Sequence, residues 1–211
     1  MKAVIISGGK VPSESLVFNQ LKDSNLIIGA DKGCEVLYKY NIKPDYILGD
    51  FDSANIDILN SIEAKAGEKI KFKREKDYTD TEIAYNLAVE KGADEIILLG
   101  ATGTRYDHSL SNLGLMLRGL KKNIKVKIID DNNFIFLTDK PLTLKGNKGD
   151  TISFQAYCDE VKNFNIRGSK YDLTNFNLKL GDSITTSNEF LDNDIRITFD
   201  SGIVMVLYTN D

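Results

Sequence analysis

Pro44-Asp45-Tyr46-Ile47-Leu48-Gly49-Asp50-Phe51-Asp52-Ser53 reads as a short apolar strand that stops on glycine and is followed at once by two carboxylates at i and i+2. An apolar strand ending in a Gly-Asp turn places that turn at the carboxyl edge of a parallel sheet, where open α/β folds bind ligands. A carboxylate pair there suits a hard cation such as Mg²⁺, which takes oxygen ligands and usually arrives with phosphates. Asp, Gly and Ser are also common turn residues. Taken alone, the stretch is equally a plain polar turn, and the surrounding chain has to decide.

The same pattern recurs on both sides. Val4-Ile5-Ile6 ends in Ser7-Gly8-Gly9, which is either a plain turn or a loop that lets phosphate near the backbone. It lacks the GxGxxG and GxxxxGK[ST] spacings that would decide between them. Leu26-Ile27-Ile28-Gly29-Ala30 runs into Asp31-Lys32-Gly33, Lys69 to Phe72 is a further candidate strand, Glu95 to Gly100 runs into Ala101-Thr102-Gly103-Thr104-Arg105-Tyr106-Asp107-His108, and Val126 to Asp130 closes the series. Helices are expected over Glu14 to Leu21, Glu35 to Tyr40, Ile56 to Ala66, from Thr79 to Gly92, and from Asp107 through Leu120. Thr79-Asp80-Thr81-Glu82 fits a capping box, with Thr79 as the cap and Glu82 reaching back. Ile83, Ala84, Leu87 and Ala88 form its expected buried stripe; Leu110, Leu113, Leu117 and Leu120 form that of the last helix, which Asp107 would cap. Repeated strand, loop and helix predict a mostly parallel, Rossmann-like sheet with flanking helices and right-handed crossovers over residues 1–131.

The texture changes near Asp130 to Asn133. From Phe134 onward the chain holds short β-branched and aromatic runs, among them Thr151-Ile152-Ser153-Phe154 and Ile203-Val204-Met205-Val206-Leu207-Tyr208. Lys145 to Asp150 and Asp200-Ser201-Gly202 are hairpin-grade turns. Ile195, Ile197 and Phe199 alternate with Arg196 and Thr198, as in a half-buried strand. Residues 132–211 are therefore expected to form an antiparallel β-sandwich.

At 211 residues and 42% hydrophobic content, the chain can bury an ordinary core. A net charge of −4 gives no global basic field, so no nucleic-acid partner is expected. The first strand turns to glycine too early for a signal-peptide core. No apolar run approaches bilayer length. Cys34 and Cys158 match no metal-ligand spacing and read as free thiols in a reducing cytoplasm. His108 is the only histidine.

Asp31, Asp50, Asp52, Asp77, Asp80 and Asp107 all fall after strands or at helix starts. Asp80 alone is what a helix dipole favours in a first turn, but that explains Asp77 less well. Six carboxylates on one edge repel one another, and would repel a phosphate ligand, unless cations sit between them. The shared edge thus predicts Mg²⁺ bridging Asp side chains to a polyphosphate. Lys32, Lys76 and Arg105 lie in the same loops and are placed to pair with phosphate oxygens, Arg105 in two-point fashion. The reaction class is transfer of a phosphorus group, in which positioning and charge neutralisation do most of the work. A carboxylate could accept the proton of an attacking hydroxyl. His108 is a second candidate base, although a residue just inside a helix start is more often a structural donor. A kinase that phosphorylates a small alcohol and releases ADP from ATP, and a non-catalytic binder of nucleotide or another small molecule, remain the other readings.

Ala30-Asp31-Lys32-Gly33, Gly49 to Ser53, Lys76 to Glu82, Gly103 to His108, Gly168-Ser169-Lys170-Tyr171-Asp172-Leu173 and Thr186-Ser187-Asn188-Glu189-Phe190 together resemble the thiamine pyrophosphokinase family in order and spacing. The resemblance covers nearly the whole chain. It implies transfer of the β,γ-pyrophosphoryl unit of ATP to the hydroxyl of thiamine, giving thiamine diphosphate and AMP. It further implies that Asp50, Asp52, Asp77, Asp80 and Asp107 surround Mg²⁺ and the ATP phosphates, with Asp31, Lys32, Thr81 and His108 nearby, and that Arg105 and Lys76 hold phosphate oxygens. By the same resemblance the protein is a homodimer. Its thiamine site then lies between the α/β domain of one subunit and the β domain of the other, with Ser187 and Asn188 on the thiamine side. Thr104 stands where many members have glycine. The chain has no tryptophan, so stacking on thiamine falls to Tyr171 or Phe190, unless those two are simply surface and core.

Overall fold

The computed structural model describes residues 1–49, 67–71, 77–157 and 159–210. Asp50, Asp52, Lys76, Cys158 and the helix expected over Ile56 to Ala66 lie outside the described residues. The chain separates into two compact units, Met1–Asp131 and Asn132–Asp211.

In the first unit the strands are β1 (Lys2–Ile6), β2 (Leu26–Ala30), β3 (Tyr46–Gly49), β4 (Glu68–Lys71), β5 (Glu95–Leu99) and β6 (Lys125–Ile129). Within this unit they pair in the order β6-β5-β1-β2-β3-β4, parallel throughout. The central strands are continuous apolar runs because both faces are covered: Ala3 to Ile6 and Ile96 to Leu99 are fully buried. The helices are α1 (Glu14–Leu21), α2 (Gly33–Lys39), α3 (Asp80–Glu90) and α4 (Tyr106–Lys121). Strand order reverses at β1, with β2, β3 and β4 to one side and β5 and β6 to the other. The gap between the ends of β1 and β5 is thus a topological switch point.

Two helices turn different faces inward from those expected. On α3 the buried face is Thr81, Ala84, Tyr85 and Ala88, while Ile83 and Leu87 are half-buried. The small alanines and a single large ring pack against β1, β2 and β3. On α4 the buried residues are Asn112, Leu115, Met116 and Gly119. Gly119 allows this, since a Cβ there would lie 2.3 Å from Val126 Cγ2 on β6. The leucine stripe consequently sits off the core, and Leu110 is 65% exposed. Arg105 occupies the cap position of α4, so Asp107 lies inside the first turn rather than at the cap.

The second unit contains β7 (Asn133–Thr138), β8 (Leu142–Leu144), β9 (Thr151–Ala156), β10 (Val161–Arg167), β11 (Leu173–Leu178), β12 (Asn188–Glu189), β13 (Ile195–Thr198) and β14 (Val204–Thr209). β12-β9-β14-β7 and β11-β10-β13-β8 form two antiparallel sheets. Ile152, Phe154, Val204 and Val206 from one meet Val161, Phe164, Ile166, Ile195 and Ile197 from the other in a single core, which makes the unit a sandwich. Phe154 and Phe164 join the sheets edge to face at 5.8 Å between ring centres.

Candidate active site

The loops after β1 and β5 are laced together across the switch point. The Gly9 amide donates to the Gly100 carbonyl at 2.8 Å, and the Lys10 amide to the Thr102 carbonyl at 2.7 Å. There is no room for a side chain between them: a Cβ on Gly9 would lie 2.2 Å from the Thr102 oxygen and 2.4 Å from that of Gly100. Gly100 itself has φ +60, open to glycine at no cost.

Asp31 follows β2 in the left-handed region at φ +50, its amide donating to the Leu48 carbonyl at 2.9 Å. Asx residues tolerate that conformation better than most. The next loop is close by, since a Cβ on Gly8 would stand 3.5 Å from an Asp31 carboxylate oxygen and 3.0 Å from Lys32 Cβ. The first turn of α3 joins this group. Thr79 caps the helix by accepting from the Glu82 amide at 3.2 Å. The buried Thr81 hydroxyl donates to the Ser7 hydroxyl at 2.9 Å, tying α3 to the end of β1.

The thiol of Cys34, buried in the first turn of α2, senses the local charge. Burial first, then the carboxylates of Asp31, Asp80 and Glu35, push it up to about 12. Asp31 and Asp80 therefore both stand near it, and at neutral pH the thiol stays protonated.

The loop after β5 is held by two side chains that the sequence reading did not single out. The buried Asn112 amide donates to the Ala101 carbonyl at 2.7 Å, and the Thr102 hydroxyl donates to the Asp130 carboxylate at 2.8 Å. Asn112 lies six residues into α4 yet meets the first residues past β5. The preceding turns, about 9 Å of helix at 1.5 Å per residue, stand beyond the strand ends. Arg105, Tyr106, Asp107 and His108 are accordingly exposed. The Arg105 guanidinium grips Asp107 at two points, 3.2 Å from Nε and 2.6 Å from Nη2. That pairing holds the Asp107 carboxyl below the usual carboxylate range and pushes Arg105 up.

The structure thus gathers Asp31, Lys32, Asp80 and Thr81 with Ser7 and Gly8. Asp77 is exposed just before α3, and Arg105, Asp107 and His108 ride the leading turn of α4. Among the described residues, no three His, Cys, Asp or Glu side chains are placed to hold a metal ion by themselves. In the sequence Asp50 directly follows Gly49, the last residue of β3, and Asp52 comes two residues later.

In the sandwich unit Ser187 is exposed in the left-handed region at φ +56, its amide donating to Ser153 Oγ at 2.9 Å. Asn188 is buried and its amide is fully used. Its nitrogen donates to Ser169 Oγ at 3.1 Å and the Tyr171 carbonyl at 2.8 Å, while its oxygen accepts from the amides of Tyr171 at 3.0 Å and Glu189 at 2.9 Å. Phe190 is core, stacked on Tyr208 at 5.8 Å, so no face of it is offered to a ligand. Tyr171 is exposed, with the Lys170 ammonium 5.7 Å above its ring.

Residues 18–128 match the family description of the thiamin pyrophosphokinase catalytic domain, and residues 139–204 that of the thiamin pyrophosphokinase vitamin B1 binding domain. A thiamine pyrophosphokinase from Bacillus subtilis is 33% identical over 214 residues, spanning 100% of both chains. A solved thiamine pyrophosphokinase from the same species superposes with a TM-score of 0.86 at 31% identity, covering 100% of both chains. One from Geobacillus thermodenitrificans gives 0.84 at 30% identity, covering 100% of this chain and 98% of that one.

Proposed function

This chain belongs to the thiamine pyrophosphokinase family, and from that premise we propose how its two units divide the reaction. The activity is transfer of pyrophosphate from ATP to the hydroxyl of thiamine, giving thiamine diphosphate and AMP. We assign ATP and Mg²⁺ to the carboxyl edge of the parallel sheet and thiamine to the sandwich. The observation that carries the first assignment is the gathering of the Asp31 carboxylate, the Gly8 backbone and the Thr81–Ser7 hydroxyl pair past the ends of β1 and β2, oxygen-bearing groups beside a switch point. That chemistry fits Mg²⁺, with Asp50, Asp52, Asp77, Asp80 and Asp107 as its holders. When bound, the ion neutralises charge between these carboxylates and the triphosphate.

Lys32, Lys76 and Arg105 bind phosphate oxygens in this reading, and Asp107 keeps the Arg105 fork aimed until a phosphate competes for it. A carboxylate of the edge takes the proton of the thiamine hydroxyl as it attacks; His108, exposed at the start of α4, steadies the nucleotide. On the sandwich, Ser187 meets thiamine directly. Asn188, whose amide is already saturated, serves as the brace that shapes the Ser169 to Tyr171 turn beside it. The Tyr171 face supplies cation–π attraction for the thiazolium.

The reading includes a homodimer, with thiamine between the sheet unit of one subunit and the sandwich of the other. Tyr106, 81% exposed, and Leu110 on the projecting turns of α4 are apolar groups that a second subunit would cover. It also includes a cytoplasmic location, where ATP and a reduced Cys34 are both at home.

The test is a product assay with purified protein, ATP, thiamine and Mg²⁺ that resolves AMP from ADP. Thiamine-dependent AMP, lost with EDTA and in Asp50→Asn, is the expected result. ADP in place of AMP, or turnover unchanged by EDTA, refutes the assignment.

A further inference from the structure

Arg118 stands near the end of α4 and reaches across to α3. Its Nη1 donates to the Glu82 carboxylate, its Nη2 donates to Asn86 Oδ1 at 2.8 Å, and its guanidinium carbon lies 5.2 Å over the Tyr85 ring. One planar fork thus serves two acceptors a helical turn apart and stacks on the aromatic side chain between them, which a lysine could not do. Glu82 is the third residue after the cap of α3, where a full capping box would turn its carboxylate back onto the Thr79 amide. Thr79 keeps its half of that box, accepting from the Glu82 amide at 3.2 Å, while the Glu82 carboxylate is paired with Arg118. The turn so freed is the one that presents Asp80 and the Thr81–Ser7 hydroxyl pair, with Asp77 just before it.

We infer that Arg118 is a positioning residue for the reaction. It fixes the leading turn of α3 against α4 and holds the Glu82 carboxylate away from the edge where the triphosphate binds. Glu82 is then a charge kept out of the site rather than a member of it. The inference rests on the assignment of ATP to this edge. It predicts an unusual pattern, in which the loss caused by removing Arg118 is reversed by also removing the charge it restrains.

The experiment compares Arg118→Ala, Glu82→Gln and the double variant with the natural protein. It measures kcat, KM for ATP, melting temperature and, with thiamine omitted, the calorimetric Kd for ATP with Mg²⁺. Arg118→Ala should raise KM and Kd for ATP about fivefold, the scale of one misplaced charge at a helix terminus, with kcat less affected. Glu82→Gln should leave both within about twofold, and the double variant should return both to that range although the helix clamp is still missing. A double variant no better than Arg118→Ala makes Arg118 a structural brace only and overturns the inference, as does an equal loss in Glu82→Gln. Should Arg118→Ala not fold, Arg118→Met keeps the stem on Tyr85 and carries the same comparison. Turnover by the natural protein tests the functional reading on its own, whereas the pattern of ATP affinities tests Arg118 whichever alcohol is the acceptor.

Discussion

Replacing Gly9 with alanine should cost this protein about 3–5 kcal/mol, because the added methyl has nowhere to go. It would stand 2.2 and 2.4 Å from two carbonyl oxygens of the loop after β5, and both belong to backbone rather than to a side chain that can swing aside. Relief requires the β1 and β5 loops to part, giving up the 2.8 Å and 2.7 Å hydrogen bonds that lace them. Forced overpacking costs roughly 1–3 kcal/mol, and the two lost hydrogen bonds add about 1 kcal/mol each. The damage should also reach function, since the displaced loop leads to Arg105. Gly114→Ala is the matched control. Gly114 lies inside α4 with nothing within 4 Å of a built Cβ, so the same change there should stabilise by about 0.5–1 kcal/mol. Urea unfolding of both variants measures the stabilities, and KM for ATP reports the loop. A Gly9→Ala protein within 1 kcal/mol of the parent, with KM for ATP unchanged, would refute the claim that these loops are locked together.

Three further outcomes follow from particular groups. In Cys158→Ser, the remaining thiol Cys34 should resist alkylation in the native protein up to pH 9 and react freely in urea. Its value rises from 9.0 to about 12 on folding. A group raised in this way stabilises the fold fully below pH 9.0, and that contribution is lost as pH climbs towards about 12, so urea midpoints should fall through that window and fall less in Cys34→Ala. Tyr85→Phe should raise stability by about 1 kcal/mol in thermal melts, because its buried hydroxyl finds no partner among the described residues. Asn188→Ala should cost about 2–4 kcal/mol in urea unfolding, since it removes the four hydrogen bonds that this buried amide makes around the Ser169 to Tyr171 turn; a loss under 1 kcal/mol would show that the turn holds itself.

Much of the fold could be read from the residues because its strongest signals are one-dimensional. Ala3 to Ile6 and Ile96 to Leu99 are apolar without alternation, and only strands covered on both faces need that. Ile195 and Ile197 alternate with exposed Arg196, and only a one-sided sheet needs that. The place of Asp31 directly after β2 was legible for the same reason: a turn directly after a strand inherits its place on the edge. Less legible were the groups that work across elements. Nothing local marks Thr81 as the partner of Ser7, or Asn112 as the holder of Ala101, since each bond joins residues whose separation in the chain carries no period.

The two misread helix faces have one physical cause. Apolar spacing says which side of a helix prefers to leave water, but close approach decides which side reaches the sheet. On α4 that approach is set by Gly119 against Val126, with Leu115, Met116 and Asn112 following on the same side. The leucines are then left on a flank where Leu113, Leu117 and Leu120 are half-buried and Leu110 is exposed. The same rotation carries Arg118 toward α3, where it meets Glu82 and Asn86. A stripe aimed wholly at the core would have kept α4 apart from the Asp80 turn. The tighter glycine contact instead couples the helix bearing Arg105 and Asp107 to the helix bearing Asp80 and Thr81, through one guanidinium that no periodicity announces.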